Sequence, residues 1–351
     1  VLQTTQYFQL PTYSMCDSLV NDSIPISIIQ TKLLQSVKKR LLSERPIGCF
    51  LSGGIDSSII ASLTSKLLYP QKLRTFSIGC KGSKDLDSAK IVATHLDTDH
   101  TEVIVSEQEM LDAIQPTIQQ IESYDTTTVR ASVPMYLLSK YIKENTDIKV
   151  VLSGEGADEL FGSYLYFHNA PTPESFHNEC VRLLTDIQKF DVLRGDKTTA
   201  GNGLEIRVPF LDKEFVQLCL LINPSLRVPR FQQESGATYE KYLLRKAFSN
   251  DLPKEIVWRR KDGFSDGVSP STKLWSEIIQ DFTNPLYKDD MKRNLQKEHL
   301  PPQTTEQYWY RHIFETFYPN YVHIIPYFWM PKWSEEDSND PSGRKLSIFH
   351  S

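Results

Sequence analysis

The sequence predicts an α/β fold, a parallel sheet with helices on both faces, followed by a mostly helical C-terminal part. Three observations carry this expectation. Short apolar runs alternate with stretches whose apolar residues recur every three to four positions, the pattern of buried strands interleaved with helices. Two of those runs end in glycine-rich loops that open into a helical pattern, "CFLSGGIDSSIIAS" (49 to 62) and "VLSGEGADELFGSY" (151 to 164). From about Asp158 onward the strand signal fades, and Leu, Ile and aromatic residues recur at helical spacing.

Taken in order, Ile29, Leu33, Val37 and Leu41 place one apolar stripe on a helix that ends near Arg45-Pro46. Gly48 to Leu51 has the brevity of a buried strand, and Ile59, Ile60, Leu63 and Leu67 resume at helical spacing in a helix beginning near Ser57. "TFSIG" (75 to 79) reads as a strand, Ser88 to Leu96 as a helix, "HTEVIV" (100 to 105) as a strand and Met110 to Ile121 as a helix. Pro134 to Ile142 is a further helix, and "IKVVLSG" (148 to 154) a further buried strand. "YWYRHIFETFY" (308 to 318) is assigned to core, because no basic stripe accompanies it to form a stacking platform for bases. "SEEDSNDPSGRK" (334 to 345) has the polar composition of a tail. The expected organisation is an N-terminal segment (1–24), one large domain (25–333) and a flexible tail (334–351).

Composition bounds the function. The 351 residues are 40% hydrophobic and 24% charged, as in a globular chain with a sizeable core. A net charge of −5 argues against broad nucleic-acid binding, which needs clustered Lys and Arg. No apolar run is long enough to span a bilayer and the first ten residues lack a signal peptide's layout, so no membrane partner and a cytoplasmic location are expected. Five scattered cysteines without a CxxC pair read as buried thiols.

The glycine loops carry the chemistry. Gly53 and Gly54 let the backbone approach a ligand and turn N–H groups toward it, while the following helix aims its positive end at the same place. Such a site attracts phosphate. Asp56 beside phosphates calls for a divalent cation between them, and Mg²⁺ takes one or two carboxylates plus phosphate oxygens. No GK[ST] follows, so this is not a Walker A loop. A plain strand-to-helix turn with Asp56 and Ser57 as caps explains the stretch equally well. The second loop repeats the design with Ser153, Gly154, Glu155, Gly156 and Asp158. In an open parallel sheet both loops face one crevice, so Asp56 and Asp158 can share Mg²⁺ and leave Glu155 to handle a nucleophile. The bland alternative makes Asp158 an ordinary first-turn residue.

Together the loops resemble the asparagine synthetase family, and "GLEIRVPFLD" (203 to 212), "KDGFSDGV" (261 to 268) and "YFWMPKW" (327 to 333) continue the resemblance in order from about Ile29 to Trp333. It implies a PP-loop fold similar to the adenine nucleotide alpha hydrolases. It also implies an ATP-dependent amidoligase, in which aspartate becomes β-aspartyl-AMP and ammonia displaces AMP. By resemblance, Ser52, Gly53, Gly54 and Ser57 bind pyrophosphate, and Asp56 and Asp158 hold Mg²⁺. Leu51, Ile78, Ser153 and Gly154 contact adenosine, Lys261 sits on the phosphates, and Glu155 acts on ammonium or the tetrahedral intermediate. Arg130, in "YDTTTVRAS" (124 to 132), either clamps a substrate carboxylate or is structural. Glu205 and Arg207 suit a structural ion pair.

Ala157 and Ser163 stand where the family often has serine and glycine. The family's glutamine-hydrolysing members start with a nucleophilic cysteine on a separate domain, whereas this sequence starts at Val1. The expected nitrogen source is therefore ammonia, or glutamine through a glutaminase domain missing here, with a homo-oligomer possible. The alternatives are a β-lactam synthetase-like cyclising enzyme, or an inactive remnant kept as a binding module.

Overall fold

A computed structural model describes residues 5, 8–11, 23–232, 236–260, 263–287 and 299–333. Five parallel strands form one sheet: β1 (Ile47–Phe50), β2 (Arg74–Cys80), β3 (Asp99–Val105), β4 (Val150–Leu152) and β5 (Glu205–Arg207). Their spatial order is β3-β2-β1-β4-β5. The chain steps outward from β1 through β2 to β3, then returns to the other side of β1 for β4 and β5. That reversal between β1 and β4 is a topological switch point, where an open sheet leaves a crevice beyond its carboxyl ends. Both glycine loops flank it.

Three helices accompany the first strands: α1 (Ser23–Lys39), α2 (Ile55–Leu68) and α3 (Lys84–Leu96). α4 (Glu107–Asp112), α5 (Ile114–Ile121) and α6 (Thr126–Asn145) lead to β4. The rest is mostly helical, as expected: α7 (Ala157–Phe161), α8 (Pro173–Asp186), α9 (Asp191–Ala200), α10 (Lys213–Leu221), α11 (Pro224–Arg227), α12 (Tyr242–Ala247), α13 (Lys254–Val257), α14 (Phe264–Gly267), α15 (Trp275–Tyr287) and α16 (Thr305–Phe317). A short antiparallel pair, β6 (Arg230–Gln232) and β7 (Ala237–Tyr239), precedes α12.

Strand alternation divides the core between the two faces of the sheet. Cys49, Val150 and Leu152 join the cluster that contains Ile29, Leu33 and Val37 of α1 and Ile59, Ile60 and Leu63 of α2. Phe50, Phe76, Ile78 and Val151 point the other way, into the cluster with Ile118 of α5, Val133 and Leu138 of α6, and Tyr310 and Phe314 of α16. The aromatic run at 308 to 318 is thus core on α16.

Several elements differ from expectation. α6 starts eight residues before Pro134, because Asp125 caps it by accepting from Thr128 N at 2.8 Å and most of its first half is buried. Burial holds the turn that the proline's missing N–H leaves open. The expected Met110 to Ile121 helix is two helices meeting at Ala113, the first opened by a Ser106–Glu109 capping box. β5 escapes sequence reading, since three residues between Gly203 and Pro209 are too few to establish a period. Glu205 and Arg207 do pair, at 2.7 Å, and Arg207 also ties the carbonyls of Arg40 and Leu42. Lys261 and the tail at 334–351 lie outside the described residues. Among the described residues, no helix is long and apolar enough to cross a membrane. Cys49, Cys80, Cys180 and Cys219 are buried and unpaired, with burial pushing the Cys49 thiol up to about 12.

Candidate active site

Loop-to-loop contact builds the site. Gly54 is the N-cap of α2, so the helix begins two residues earlier than the pattern near Ser57 suggested. Its carbonyl accepts the hydroxyls of Ser57 at 3.1 Å and Ser58 at 2.7 Å, while Ser52 N donates to Ser57 Oγ at 3.2 Å. The loop is thereby tied to its own helix by serines, and neither Asp56 nor Ser57 is the N-cap. Gly53 takes φ +71°, and a Cβ there would overlap the backbone at Ser88 and Ala89, so its bareness lets α3 close on the loop. Gly154 after β4 does the same across the crevice: a Cβ would stand 2.8 Å from Ser57 N and 2.9 Å from the Asp56 backbone. The two loops touch only because residue 154 has no side chain.

The cavity at this contact is lined by Leu51, Ser52, Gly54, Asp56, Ser57, Ile78, Ser153, Gly154, Glu155 and Asp158. Ten of the thirteen residues singled out from sequence are therefore brought together here. Phe50, Phe76, Met135 and Leu138 add apolar surface beside Leu51 and Ile78, which suits a flat heterocycle. Arg259, Arg260 and Phe264 line it from the segment that contains Lys261. Arg259 Nη2 holds Asp85 at 2.8 Å, and Gly267 packs against that same carboxylate.

Gly53 is not among the lining residues, although it sits between Ser52 and Gly54, which are. Arg130 also stands outside the lining. It is 4% exposed on α6, and its Nε and Nη2 reach the two oxygens of Glu306 on α16 at 2.7 and 2.5 Å. A buried bidentate pair between two helices is a structural tie, and Arg130 is not among the lining residues.

The acids are held by cations that sequence reading missed. Lys241, whose side chain is 0% exposed, donates to Asp56 Oδ2 at 2.5 Å and also to Asp158 Oδ1. Ser163 donates to Asp158 Oδ1 as well. Glu155 Oε2 accepts from Arg194 Nη2 at 2.6 Å, and Arg194 Nη1 lies 3.0 Å from Asp191. Burial pushes the Glu155 carboxyl up, with Arg194 opposing and Asp191 adding to the rise. Burial works against the Arg194 charge, but Glu155 and Asp191 outweigh it and keep the guanidinium protonated. Glu159, which accepts from the Tyr164 hydroxyl, is raised strongly by burial and then by Asp191 and Asp158. The i, i+3 spacing of Asp191 and Arg194 is a signal that could have flagged that pair, whereas nothing in "YEKYLLRKAF" marks Lys241 as buried.

The residues present fit Mg²⁺. Asp56 Oδ1 is buried without a hydrogen-bond partner, as a ligating oxygen would be before its ion arrives. Among the described residues no group of three or more His, Cys, Asp or Glu is arranged to hold a metal. An ion here would complete its shell with water or phosphate oxygens, in the manner of Mg²⁺ bound with a nucleotide.

The chain matches the family described as Asparagine synthase over residues 29–176 and 169–339. It belongs to the asparagine synthase family. Among curated members, asparagine synthetase [glutamine-hydrolyzing] of Gallus gallus is 43% identical over 367 residues, covering 100% of this chain and 64% of that protein. The Homo sapiens protein of the same name is 46% identical over 327 residues, covering 90% of this chain and 56% of its own length. This member thus spans about six-tenths of those relatives. A structure of NMN synthetase from Francisella tularensis shows a looser likeness, with TM-score 0.35 and 14% identity over 87% of this chain and 96% of that one.

Proposed function

We propose that the chain is the ATP-dependent amidoligase portion of an asparagine synthetase, converting aspartate to asparagine through β-aspartyl-AMP. The observation that carries this reading is the convergence of two acid-bearing glycine loops on one cavity at the switch point of the sheet, in a member of this family. Leu51 and Ile78 would flank the adenine, with Ser153 and Gly154 beside the ribose. The serine-tied loop 52–57 at the N-terminus of α2 would receive the β and γ phosphates.

A β-carboxylate oxygen of aspartate attacks the α-phosphorus, and the bond to pyrophosphate breaks. Charge then grows on the leaving group, where the N–H groups of the loop and Lys261 stabilise it most in the transition state. Mg²⁺ held by Asp56 and Asp158 would supply charge neutralisation there. Ammonia then attacks the acyl carbon with its lone pair, AMP departs with the bonding electrons, and a proton leaves nitrogen. Glu155 is the carboxylate at hand to take that proton, and its burial-raised affinity for protons suits it to the task. Nitrogen donor, oligomeric state and cellular location belong to the whole protein; we take ammonia as the donor this chain uses by itself.

The test is ATP–pyrophosphate exchange with and without aspartate, followed by asparagine formation with ammonium or glutamine. The reading requires aspartate-dependent exchange and ammonium-dependent asparagine that rises with pH as NH₃ becomes available. Exchange indifferent to aspartate would overturn it.

A further inference from the structure

We propose that Lys241 is a built-in counter-ion that keeps free divalent metal out of this site, so that metal enters together with the nucleotide's phosphates. The inference rests on reading Asp56 and Asp158 as the metal-binding acids.

The ammonium of Lys241 is fully buried and lies against one oxygen of each acid. A buried charge costs several kcal/mol unless it is paired, so the two carboxylates fix its place and it fixes theirs. Its backbone is equally constrained. Lys241 sits at the N-cap of α12 with φ 56° and ψ 29°, a left-handed conformation that a side chain with a Cβ adopts only under surrounding constraint. The constraint is visible: Arg245, one turn on, donates to the carbonyls of Glu240, Val257 and Arg259 and pairs with the Glu240 carboxylate. The lysine is anchored beneath the acids.

Two consequences follow for a metal ion arriving alone. The acid pair carries two negative charges, of which Lys241 already cancels one, so the attraction for a dication is roughly halved. Ligand atoms are also scarce: of the four carboxylate oxygens, Asp56 Oδ2 and Asp158 Oδ1 are engaged by the ammonium and Asp158 Oδ1 also accepts Ser163, while Asp56 Oδ1 is buried without a hydrogen-bond partner. A hard cation with six ligand positions gains little by giving up its water for so few protein oxygens. Phosphate oxygens brought with the ion remove that shortage. Lys241 is accordingly a positioning residue: it holds both acids in place facing the cavity while leaving the site selective for metal plus phosphate over metal.

Mn²⁺ alone, followed by the paramagnetic resonance signal of the free ion, tests this without ATP or aspartate, so its outcome is separate from that of the amidoligase reading. Wild type should show no saturable site below millimolar Mn²⁺. Lys241→Met should gain one site bound at least about tenfold more tightly, equivalent to roughly 1.4 kcal/mol. Lys241→Arg, which keeps the charge, should stay like wild type, and adding Asp56→Asn to Lys241→Met should abolish the gain. A purely structural lysine predicts lost stability and no new metal affinity. Equal Mn²⁺ binding by wild type and Lys241→Met would overturn the proposal. If Lys241→Met is unfolded without metal, recovery of its melting transition by millimolar Mn²⁺ supports the proposal, and failure to recover overturns it.

Discussion

Removing Arg130 should unfold the protein more readily without raising the KM for aspartate in the proposed reaction. The perturbation is Arg130→Met, which keeps much of the apolar stem of the side chain and deletes the guanidinium. Arg130 and Glu306 have side chains 5% and 1% exposed and share two hydrogen bonds, at 2.7 and 2.5 Å. Deleting one partner strands a carboxylate in the interior between α6 and α16, for which about 3–5 kcal/mol is expected. Solvent cannot reach the pair to screen it, so little discount applies. The reverse substitution, Glu306→Leu, should cost a comparable amount by removing the carboxylate that the buried guanidinium holds. The double variant Arg130→Met/Glu306→Leu should lose clearly less than the sum, with a coupling of about 1–3 kcal/mol, because no uncompensated charge is left. The assay is urea unfolding of the four proteins, together with the KM for aspartate of each at a temperature where it remains folded. If Arg130→Met lies within about 1 kcal/mol of wild type while its KM for aspartate rises, the structural assignment fails and Arg130 returns to the substrate site.

Gly154→Ala puts a methyl group 2.8 Å from Ser57 N, where the obstacle is backbone that cannot rotate away. It should force the two loops apart, cost about 1–3 kcal/mol and weaken ATP binding by calorimetry; unchanged binding would mean the loop contact is dispensable. Asp56→Asn should lower ATP–pyrophosphate exchange by at least about 100-fold, while Lys241 keeps Asp158 as partner and the stability loss stays within about 1–3 kcal/mol. Retained exchange would remove Asp56 from the metal role. Asp125, which accepts Thr128 N, the Thr128 hydroxyl and Trp329 N, is pushed by burial from an ordinary 3.8 up to about 6. The folded state therefore takes the proton first on acidification, so ionised Asp125 opposes folding above pH 6 and that opposition is relieved as pH falls toward 4. Across that window wild type should gain up to about 3 kcal/mol relative to Asp125→Asn, and a flat difference between the two unfolding curves would refute the shift.

The local design was legible in the residues themselves. Strands β1 to β4 and helices α1 to α3 announce themselves by apolar runs and helical spacing, because each must bury one face. Gly54, Asp56, Gly154, Glu155 and Asp158 could be chosen because a backbone approaching phosphate needs missing side chains, and an acid beside phosphate needs a cation; both requirements fall on neighbouring residues. The same logic failed where the chemistry is shared at a distance. Arg130 in "TTTVRAS" looks the same whether it meets a substrate carboxylate or Glu306, 176 residues away. Gly53 looks like a ligand-approach glycine, and a second demand on its bareness, the close approach of α3, could not be read from the sequence.

Composition and periodicity determined the layered α/β architecture, the two loops and the acids they carry, since those follow from what each segment needs of its own backbone. The tertiary structure alone decided what neutralises those acids. Lys241 reaches Asp56 across 185 residues and Asp158 across 83, and Arg194 reaches Glu155 across 39. A lysine at the start of a short helix is by default a solvated one, and only folding buries it. Charge pairing inside a protein depends on distance through space and on exclusion of water, and neither quantity is written in the order of residues along the chain.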